Sequence, residues 1–363
     1  MEPALYQEAL NAATDRTDCI VTPMTAGLIN KTYKVTISPT AAGSGFLLQQ
    51  INNAVFPEPE TVQDNYEKIW SHLYYGESPK NILNPVTIPA PQKFLDETTL
   101  FRDHHKKYWR LFEFIDNAQT LDTPANSFQA RMVALTFGAL TASFENYDIE
   151  MLHITIPGFH DLSLRTKQFH DALHSRDYER LQQAAPIIQE LKKRERYSSL
   201  YDVMIESGEF ERRLMHHDAK ISNILFDEKT GKVICPIDMD TCMPGYFFSD
   251  LGDMIRSMAC TEDENSIRFS EINIRQDHYT AIVDGYLEVM NEWLTDAEKK
   301  YIHHSGLLVV YMQALRFLTD YLNGDKYYRT TYPVQNLDRA KNQLILLQQL
   351  EIFLNEHHNV KNG

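Results

Sequence analysis

The chain is short of positive charge, of cysteine and of long apolar runs, and each shortage removes a class of function. Its 363 residues carry 35 Lys and Arg against 50 Asp and Glu, a formal charge of −15. A protein that neutralises a run of nucleic-acid phosphates needs the opposite balance, so DNA and RNA are not expected partners. One anionic ligand remains admissible, because a metal ion, a few cations and oriented backbone amides make a site locally positive inside an acidic protein. Only four cysteines occur, Cys19, Cys235, Cys242 and Cys260, with no CxxC pair. That excludes a disulfide scaffold and argues for reduced thiols. No stretch reaches the ~18 apolar residues of a membrane span. The opening MEPALYQEAL lacks a basic segment followed by an apolar one, so neither secretion nor membrane anchorage is expected, and the cytoplasm is the expected location.

What is present is the composition of a folded protein, with 43% hydrophobic and 23% charged residues. Such a chain holds enough apolar material to offset the ordering of its backbone. At this length two cores are expected rather than one. No internal repeat or low-complexity linker separates them, so the connection should be short.

The first hundred residues are rich in strand-like runs: GLINKTYKVTI, GSGFLLQQIN and NPVTIPAPQKFLDETTLFRD, leading to KKYWRLFEFI. One helical stretch interrupts them, PEPETVQDNYEKIWSHLYYG, with acidic residues in its early turns where a helix N-terminus favours them. After FIDNAQTLDTPA the periodicity becomes helical, in SFQARMVALTFGALTASFENY, YERLQQAAPIIQELKKRERY and SSLYDVMIESGEFERRL. The last third is helical again, with GLLVVYMQALRFLTDYL its most apolar piece and a final helix starting near Asn336. Residues 359 to 363 are expected to fray. Within the helical part, NILFDEKTGKVICPID reads as two short strands joined by a polar turn at Gly231. That hairpin places Asn223 at its start and Asp238 at its end.

Immediately before the hairpin stands HHDAKISN, at 216–223. His216, Asp218 and Asn223 follow H-x-D-x-x-x-x-N, the spacing of a phosphoryl-transfer loop. In that chemistry a carboxylate orients the incoming hydroxyl and takes its proton, while oxygen ligands hold the magnesium that bridges the phosphates. Asp218 is the candidate base, Asn223 and Asp238 are the candidate metal ligands, and Asp240 stands as an alternative to Asp238. Lys220 is placed to reach the transferring phosphate as a point charge. Asp250, in SDLGDMIR, is expected to be a buried carboxylate bracing the loop. A zinc site at His216 and His217 is not supported, since nothing nearby completes a tetrahedral set. The pairs His104–His105, His303–His304 and His357–His358 are expected at the surface or at helix caps.

The stretch HHDAKISNILFD, continuing through PIDMDTCMPGYFFSDLGDMIR, resembles the aminoglycoside phosphotransferase and choline kinase superfamily. That resemblance implies an α+β, bilobal, protein-kinase-like fold with a small β-rich N-lobe and a larger, mainly helical C-lobe. The expected divisions are residues 1–111, a hinge at 112–117, and residues 118–363. The blocks GLINKTYKV, FLLQQINNAVFPEP, YWRLFEFI, TIPGFHDLSLR, DTCMPG, RFLTDYLNGDKYY and QNLDRAKNQL are together similar to the bacterial N-acetylhexosamine 1-kinase group. This closer likeness implies an ATP- and Mg2+-dependent kinase that phosphorylates the anomeric hydroxyl of an N-acetylhexosamine. It implies a small-molecule sugar as the substrate and leaves the oligomeric state open. Arg316 and Tyr327 would contact the sugar, Gly27, Asn30 and Thr32 would lie over the phosphates, and Phe112, Phe114 and Ile115 would meet adenine. His160 and Asp161 would support the acceptor pocket from behind.

Two alternatives bear on this reading. Arg316 lies in the apolar LLVVYMQALRFL, where a guanidinium needs a partner, and Asp320 one helical turn on could supply it. The likeness also implies a Lys or Arg closing the strand FLLQQIN, and Gln49 and Gln50 stand there instead. Lys31 or Lys34 could substitute. A kinase of another sugar, of choline or of an aminoglycoside, or a nucleotide-binding pseudokinase, are the competing functions.

Overall fold

Along residues 31–37, 45–51 and 108–113 successive side chains point to opposite faces, as in any strand. Val35, Leu48, Trp109 and Leu111 pack together with Ala9, Leu10 and Phe94, and the intervening residues face the other way. In the computed structural model, which describes residues 5–24, 29–37, 45–76, 85–175 and 177–360, these are central strands of an antiparallel sheet.

The chain begins with α1 (Gln7–Ala13), β1 (Cys19–Met24), β2 (Lys31–Ile37), β3 (Gly45–Ile51) and α2 (Pro59–Tyr75). It continues through β4 (Pro91–Gln92), β5 (Leu100–Arg102), β6 (Tyr108–Glu113), β7 (Ala118–Gln119) and α3 (Ser127–Ala142). Then come α4 (Leu162–Ala172), α5 (Tyr178–Lys192), α6 (Arg196–Glu206), β8 (Arg213–Met215), β9 (Ile224–Asp227) and β10 (Val233–Pro236). After β11 (Met243–Gly245) the chain is helical: α7 (Phe248–Met258), α8 (Gln276–Met290), α9 (Asp296–Lys300), α10 (His304–Leu322) and α11 (Gln335–His358).

The chain divides into two compact units. One comprises the residues up to Thr120 together with Asp148–Pro157 and Ile224–Met243. Its sheet runs in the order β1-β2-β3-β6-β4, with β5 also paired to β6. The register sets Thr32 opposite Gln49 and Gln49 opposite Arg110, so these three side chains form one rung across three strands. Trp109 is buried on the opposite face, where its indole N–H donates to Asp103 at 2.9 Å. Neither α1 nor β1 is among the elements expected from the sequence. Only Ala9 and Leu10 of α1 are buried, too few to show a helical period.

The hairpin expected around Gly231 is present. Pro236 faces Ile224 across β9 and β10, Asp227 accepts the Thr230 and Gly231 backbone N–H groups, and Gly231 takes φ +66°. That left-handed value is one that glycine adopts without a Cβ penalty. Asn223 therefore immediately precedes one strand of the hairpin, and Asp238 follows the other by two residues.

The second unit holds Leu121–Tyr147, Gly158–Asn223 and the residues from Pro244 onward. Its core is α10, buried along nearly its whole length. The helix α7 lies so close to α10 that a Cβ on Gly252 would meet the Ser305 carbonyl and Val309 side chain at 2.4 Å. Gly306 is tight in the same way against Ile255 and Leu350. The final helix ends with Asn359 in the left-handed conformation and the Val360 N–H on the Leu354 carbonyl. Residues 359 and 360 thus form a helix cap instead of fraying, and 361–363 lie outside the described residues. No helix among the described residues is long and apolar enough to cross a membrane.

Candidate active site

Asp218 sits in a loop held by backbone hydrogen bonds to a carboxylate beneath it. Asp250, fully buried at the start of α7, accepts the His216 N–H at 2.8 Å and the His217 N–H at 2.7 Å. Burial pushes the Asp250 carboxyl up to about 6, against the lowering effect of His216 and of those two N–H donors. This is the bracing role expected of Asp250. His217 takes φ +63°, a conformation a non-glycine residue holds only when its surroundings fix it. Those surroundings are the Asp250 bond, the contact between its Nδ1 and Ser249 Oγ at 2.7 Å, and Gly245, where a Cβ would strike the imidazole at 2.4 Å.

The loop then turns so that three of the expected residues meet. Lys220 Nζ lies 2.9 Å from Asp218 Oδ2, and Asn223 Nδ2 donates to the Asp218 carbonyl at 2.8 Å and to Oδ2 at 2.9 Å. Burial would raise the Asp218 carboxyl, but the Lys220 ammonium first, then its hydrogen bond, His216 and Asn223, hold it below the ordinary carboxylate value. The Lys220 ammonium is correspondingly raised, since Asp218, Asp253 and Glu264 outweigh its desolvation. Asp218 is thus an ionised, oriented carboxylate. Asp253, one turn along α7 from Asp250, contributes to this field and was not singled out from the sequence. Burial raises its carboxyl, Arg256 Nε donates to Oδ1 at 2.8 Å, and Oδ2 is buried without a partner among the described residues.

A magnesium ion would ask for hard oxygen donors and keep several waters. Asn223 spends its amide nitrogen on Asp218, which leaves its carbonyl oxygen as the donor atom. Asp238 is an exposed carboxylate whose backbone holds φ +63° and ψ +53°, a strained value for a non-glycine residue. Each offers an oxygen of the right chemistry. No group of three or more His, Cys, Asp or Glu side chains is gathered as a metal cage among the described residues.

Asp240 does not stand in for Asp238. It is buried and engaged, with Oδ1 accepting from Arg110 Nη2 at 2.5 Å and Oδ2 from Asn30 Nδ2 at 2.7 Å. Arg110 in turn donates through Nε and Nη2 to Gln49 Oε1, at 2.9 and 2.6 Å, and Gln49 Nε2 donates to Thr32 Oγ1 at 2.8 Å. Asn30 and Thr32 are therefore the two ends of one polar chain, Thr32–Gln49–Arg110–Asp240–Asn30. Gly27 lies outside the described residues.

Neither lysine named as a substitute for the strand cation joins that chain. Lys34 sits over the Phe114 ring at 3.7 Å and 3.9 Å from Asp116. Lys31 is exposed and alternates with Thr32, on the other face of β2. Arg110 stands in register with Gln49 on the next strand, a juxtaposition that spacing along the chain does not reveal. Phe112 is buried two residues beyond Arg110 on the same face, against Tyr66 of α2 with ring centroids 4.6 Å apart. Glu113 exchanges hydrogen bonds with Ala90, and Phe114 and Ile115 follow, half-buried.

In the second unit Arg316 is half-buried and has no ion pair with Asp320. The Asp320 carboxylate is spent on the Lys326, Tyr327 and Tyr328 backbone N–H groups and on Asn336, which fixes the turn after α10. Arg316 donates to Gln313 at 3.0 Å, and its guanidinium lies 4.7 Å from the Phe159 ring, 5.6 Å from Tyr328 and 5.9 Å from the exposed Tyr327. Arg165 is close enough that burial and the Arg316 charge lower it to about 10. His160 stacks on Phe159, bonds Ser249 at 2.5 Å, and is held neutral by burial, then by His217 and Arg316. Asp161 caps α4 through the Leu164 N–H. His303 occupies the N-cap position of α10, as expected of a cap, half-buried against His358 with its Nδ1 2.8 Å from Tyr279 Oη.

Solved structures with this fold include phosphotransferases and kinases. An aminoglycoside phosphotransferase from Alicyclobacillus acidocaldarius superposes with a TM-score of 0.63 at 12% identity, over 98% of this chain and 96% of its own. The Plasmodium vivax ethanolamine kinase gives 0.55 at 15% identity, over 90% of this chain and 82% of its own. A spectinomycin phosphotransferase, solved with ADP and spectinomycin, gives 0.54 at 10% identity, over 92% and 93%. At such identities these structures establish a shared fold. Residues 21–286 match the sequence pattern of the phosphotransferase enzyme family. The chain, with its antiparallel sheet, its helical second unit and its braced H-x-D-x-x-x-x-N loop, belongs to the phosphotransferase enzyme family.

Proposed function

We propose that the protein is an ATP- and Mg2+-dependent small-molecule kinase that transfers the γ-phosphoryl group to the anomeric hydroxyl of an N-acetylhexosamine. The observation that carries the transfer chemistry is Asp218, ionised and fixed by Lys220 and Asn223 on a loop braced from below. In this reading Asp218 accepts the proton as the sugar oxygen bonds phosphorus and the bond from phosphorus to the β-γ bridging oxygen breaks. Lys220 carries positive charge to the transferring group. Asn223 and Asp238 supply the protein's oxygens to magnesium, which when bound neutralises the phosphates. Phe112, Phe114 and Ile115 would receive adenine at the 112–117 hinge, and an ADP complex in a protein of the same fold supports nucleotide use.

The acceptor class is argued from charge. Ethanolamine and aminoglycosides, the acceptors named for kinases of this fold, are cations, and an aromatic cage is a common way to hold one. Here Phe159, Tyr327 and Tyr328 surround the protein's own Arg316, with Arg165 behind it. A second cation would meet two guanidiniums, whereas a neutral sugar would gain hydrogen-bond donors and an apolar ring face. Arg316 and Tyr327 are proposed as the sugar contacts.

The test is a panel of N-acetylglucosamine, N-acetylgalactosamine, glucose, ethanolamine, choline and kanamycin with ATP and Mg2+, read by 31P NMR. Phosphate coupled to the anomeric proton is the expected product. Phosphorylation of the amines alone overturns the acceptor assignment, and no product with any of them removes the kinase reading.

A further inference from the structure

The polar rung described above has one unfilled position. Gln49 uses its oxygen on Arg110 and its nitrogen on Thr32, and Asp240 uses one oxygen on Arg110 and the other on Asn30. The Asp240 backbone carbonyl is taken as well, by Thr155 Oγ1 at 2.9 Å. Arg110 engages Nε and Nη2, yet its Nη1 is buried and has no hydrogen-bond partner among the described residues. The side chain is only 2% exposed. A buried donor on a charged group is costly to leave unpaired, so a site built to satisfy every neighbour but this atom is built around something absent from the protein itself.

We propose that Arg110 is the cation that meets the nucleotide phosphates, presented by Asp240 and Gln49 with Nη1 as the contacting atom. This rests on the kinase reading and adds a residue to it. Cross-strand partners sit about 5 Å apart, so an arginine on β6 opposite Gln49 commands nearly the space that a basic residue at Gln49 would. No carboxylate of α2 holds it, because Glu60 bonds Tyr108, Asp64 bonds Lys68 and His153, and Glu67 bonds Thr99 and Gln63. The anchoring acid is Asp240, two residues past the proposed metal ligand Asp238. Both oxygens of Asp240 are thus committed to orienting groups, which explains its burial and keeps it from the metal. Tyr66 and Phe112 flank the guanidinium, at 5.8 and 4.9 Å, and limit its swing.

The experiment compares the binding of ADP and adenosine, without magnesium, to the full chain by titration calorimetry. In Arg110→Met the affinity for ADP should fall about 10- to 100-fold, the measure of hydrogen bonding to a charged group, while that for adenosine stays as in the wild type. A loss shared equally by both ligands, or no loss, overturns the assignment. Should Arg110→Met fail to fold because Asp240 is left unpaired, the charge-neutral Arg110→Met/Asp240→Asn variant takes its place with the same expectation and the same disproof. A wild-type chain that binds neither ligand removes the nucleotide reading itself, a result separate from one that removes Arg110 alone.

Discussion

Asn223 holds Asp218 by two hydrogen bonds from one nitrogen, to the backbone carbonyl at 2.8 Å and to Oδ2 at 2.9 Å. Lys220 takes the same Oδ2, so Oδ1 is left by both and, in the proposed mechanism, would meet the incoming hydroxyl. Asp218→Asn should leave the thermal unfolding curve nearly unchanged and lower kcat by about 10²-fold or more, the scale of a lost general base. Turnover near the wild-type value would place the base elsewhere.

Lys220 is the chief counter-charge of Asp218, and its removal tests that dependence. In Lys220→Met the burial of Asp218 is opposed by less, so its carboxyl rises. Only the ionised carboxylate accepts a proton, and activity is lost as pH falls through that pKa. The acid limb of kcat/KM should therefore move to higher pH, with kcat also reduced by about tenfold or more. An unmoved acid limb would show that Lys220 does not set the carboxylate's charge state.

Gly245 supports the loop by lacking a side chain. In Gly245→Ala the new methyl would sit 2.4 Å from His217 Cε1 and 2.6 Å from Nε2, and that ring is tied to Ser249 while its backbone is tied to Asp250. The loop must shift, at a cost of about 1–3 kcal/mol in urea unfolding. A displacement of this kind beside a catalytic group should cost ~10-fold or more in kcat. Wild-type kinetics in this variant would mean that the His217 ring relaxes independently of Asp218.

His303 gives the stability a pH dependence unconnected with catalysis. Burial, then the neighbouring His358 and His304, lower it to about 4, whereas an unfolded histidine titrates near ~6.5. The unfolded chain therefore binds the extra proton first, and stability present above ~6.5 is lost as pH falls toward 4. Across that window Tm should fall more steeply for the wild type than for His303→Phe. Parallel curves would assign the acid sensitivity to other groups.

The parts of this architecture that announce themselves in the sequence are those whose order along the chain equals their order in space. The helix α2 shows its apolar period directly, and α10 shows its place in the core by an almost unbroken apolar run. HHDAKISN and the Gly231 hairpin are local enough that spacing alone brings their residues to one loop and one strand pair. Arg110 is legible only once the register is known, because it stands 61 residues from Gln49 in sequence and directly opposite it in the sheet. Asp320 misled for a related reason. Helical spacing offers it to Arg316, but three backbone N–H groups of the following turn compete for the same oxygens and win. Arg316 itself looked buried from its apolar neighbours, and three aromatic rings give it a half-open setting that periodicity does not encode.

The turn of the β9–β10 hairpin has its own engineering consequence. Its tip is closed by Asp227, Thr230 and Gly231, while the Ile224–Pro236 pairing clamps the opposite end, next to the segments that carry Asn223 and Asp238. Extra residues spliced in between Lys229 and Thr230 would be absorbed at the tip without stretching the clamp. An insertion at that point is therefore expected to open the Asp227–Thr230 bonds of the tip while the Ile224–Pro236 pairing persists.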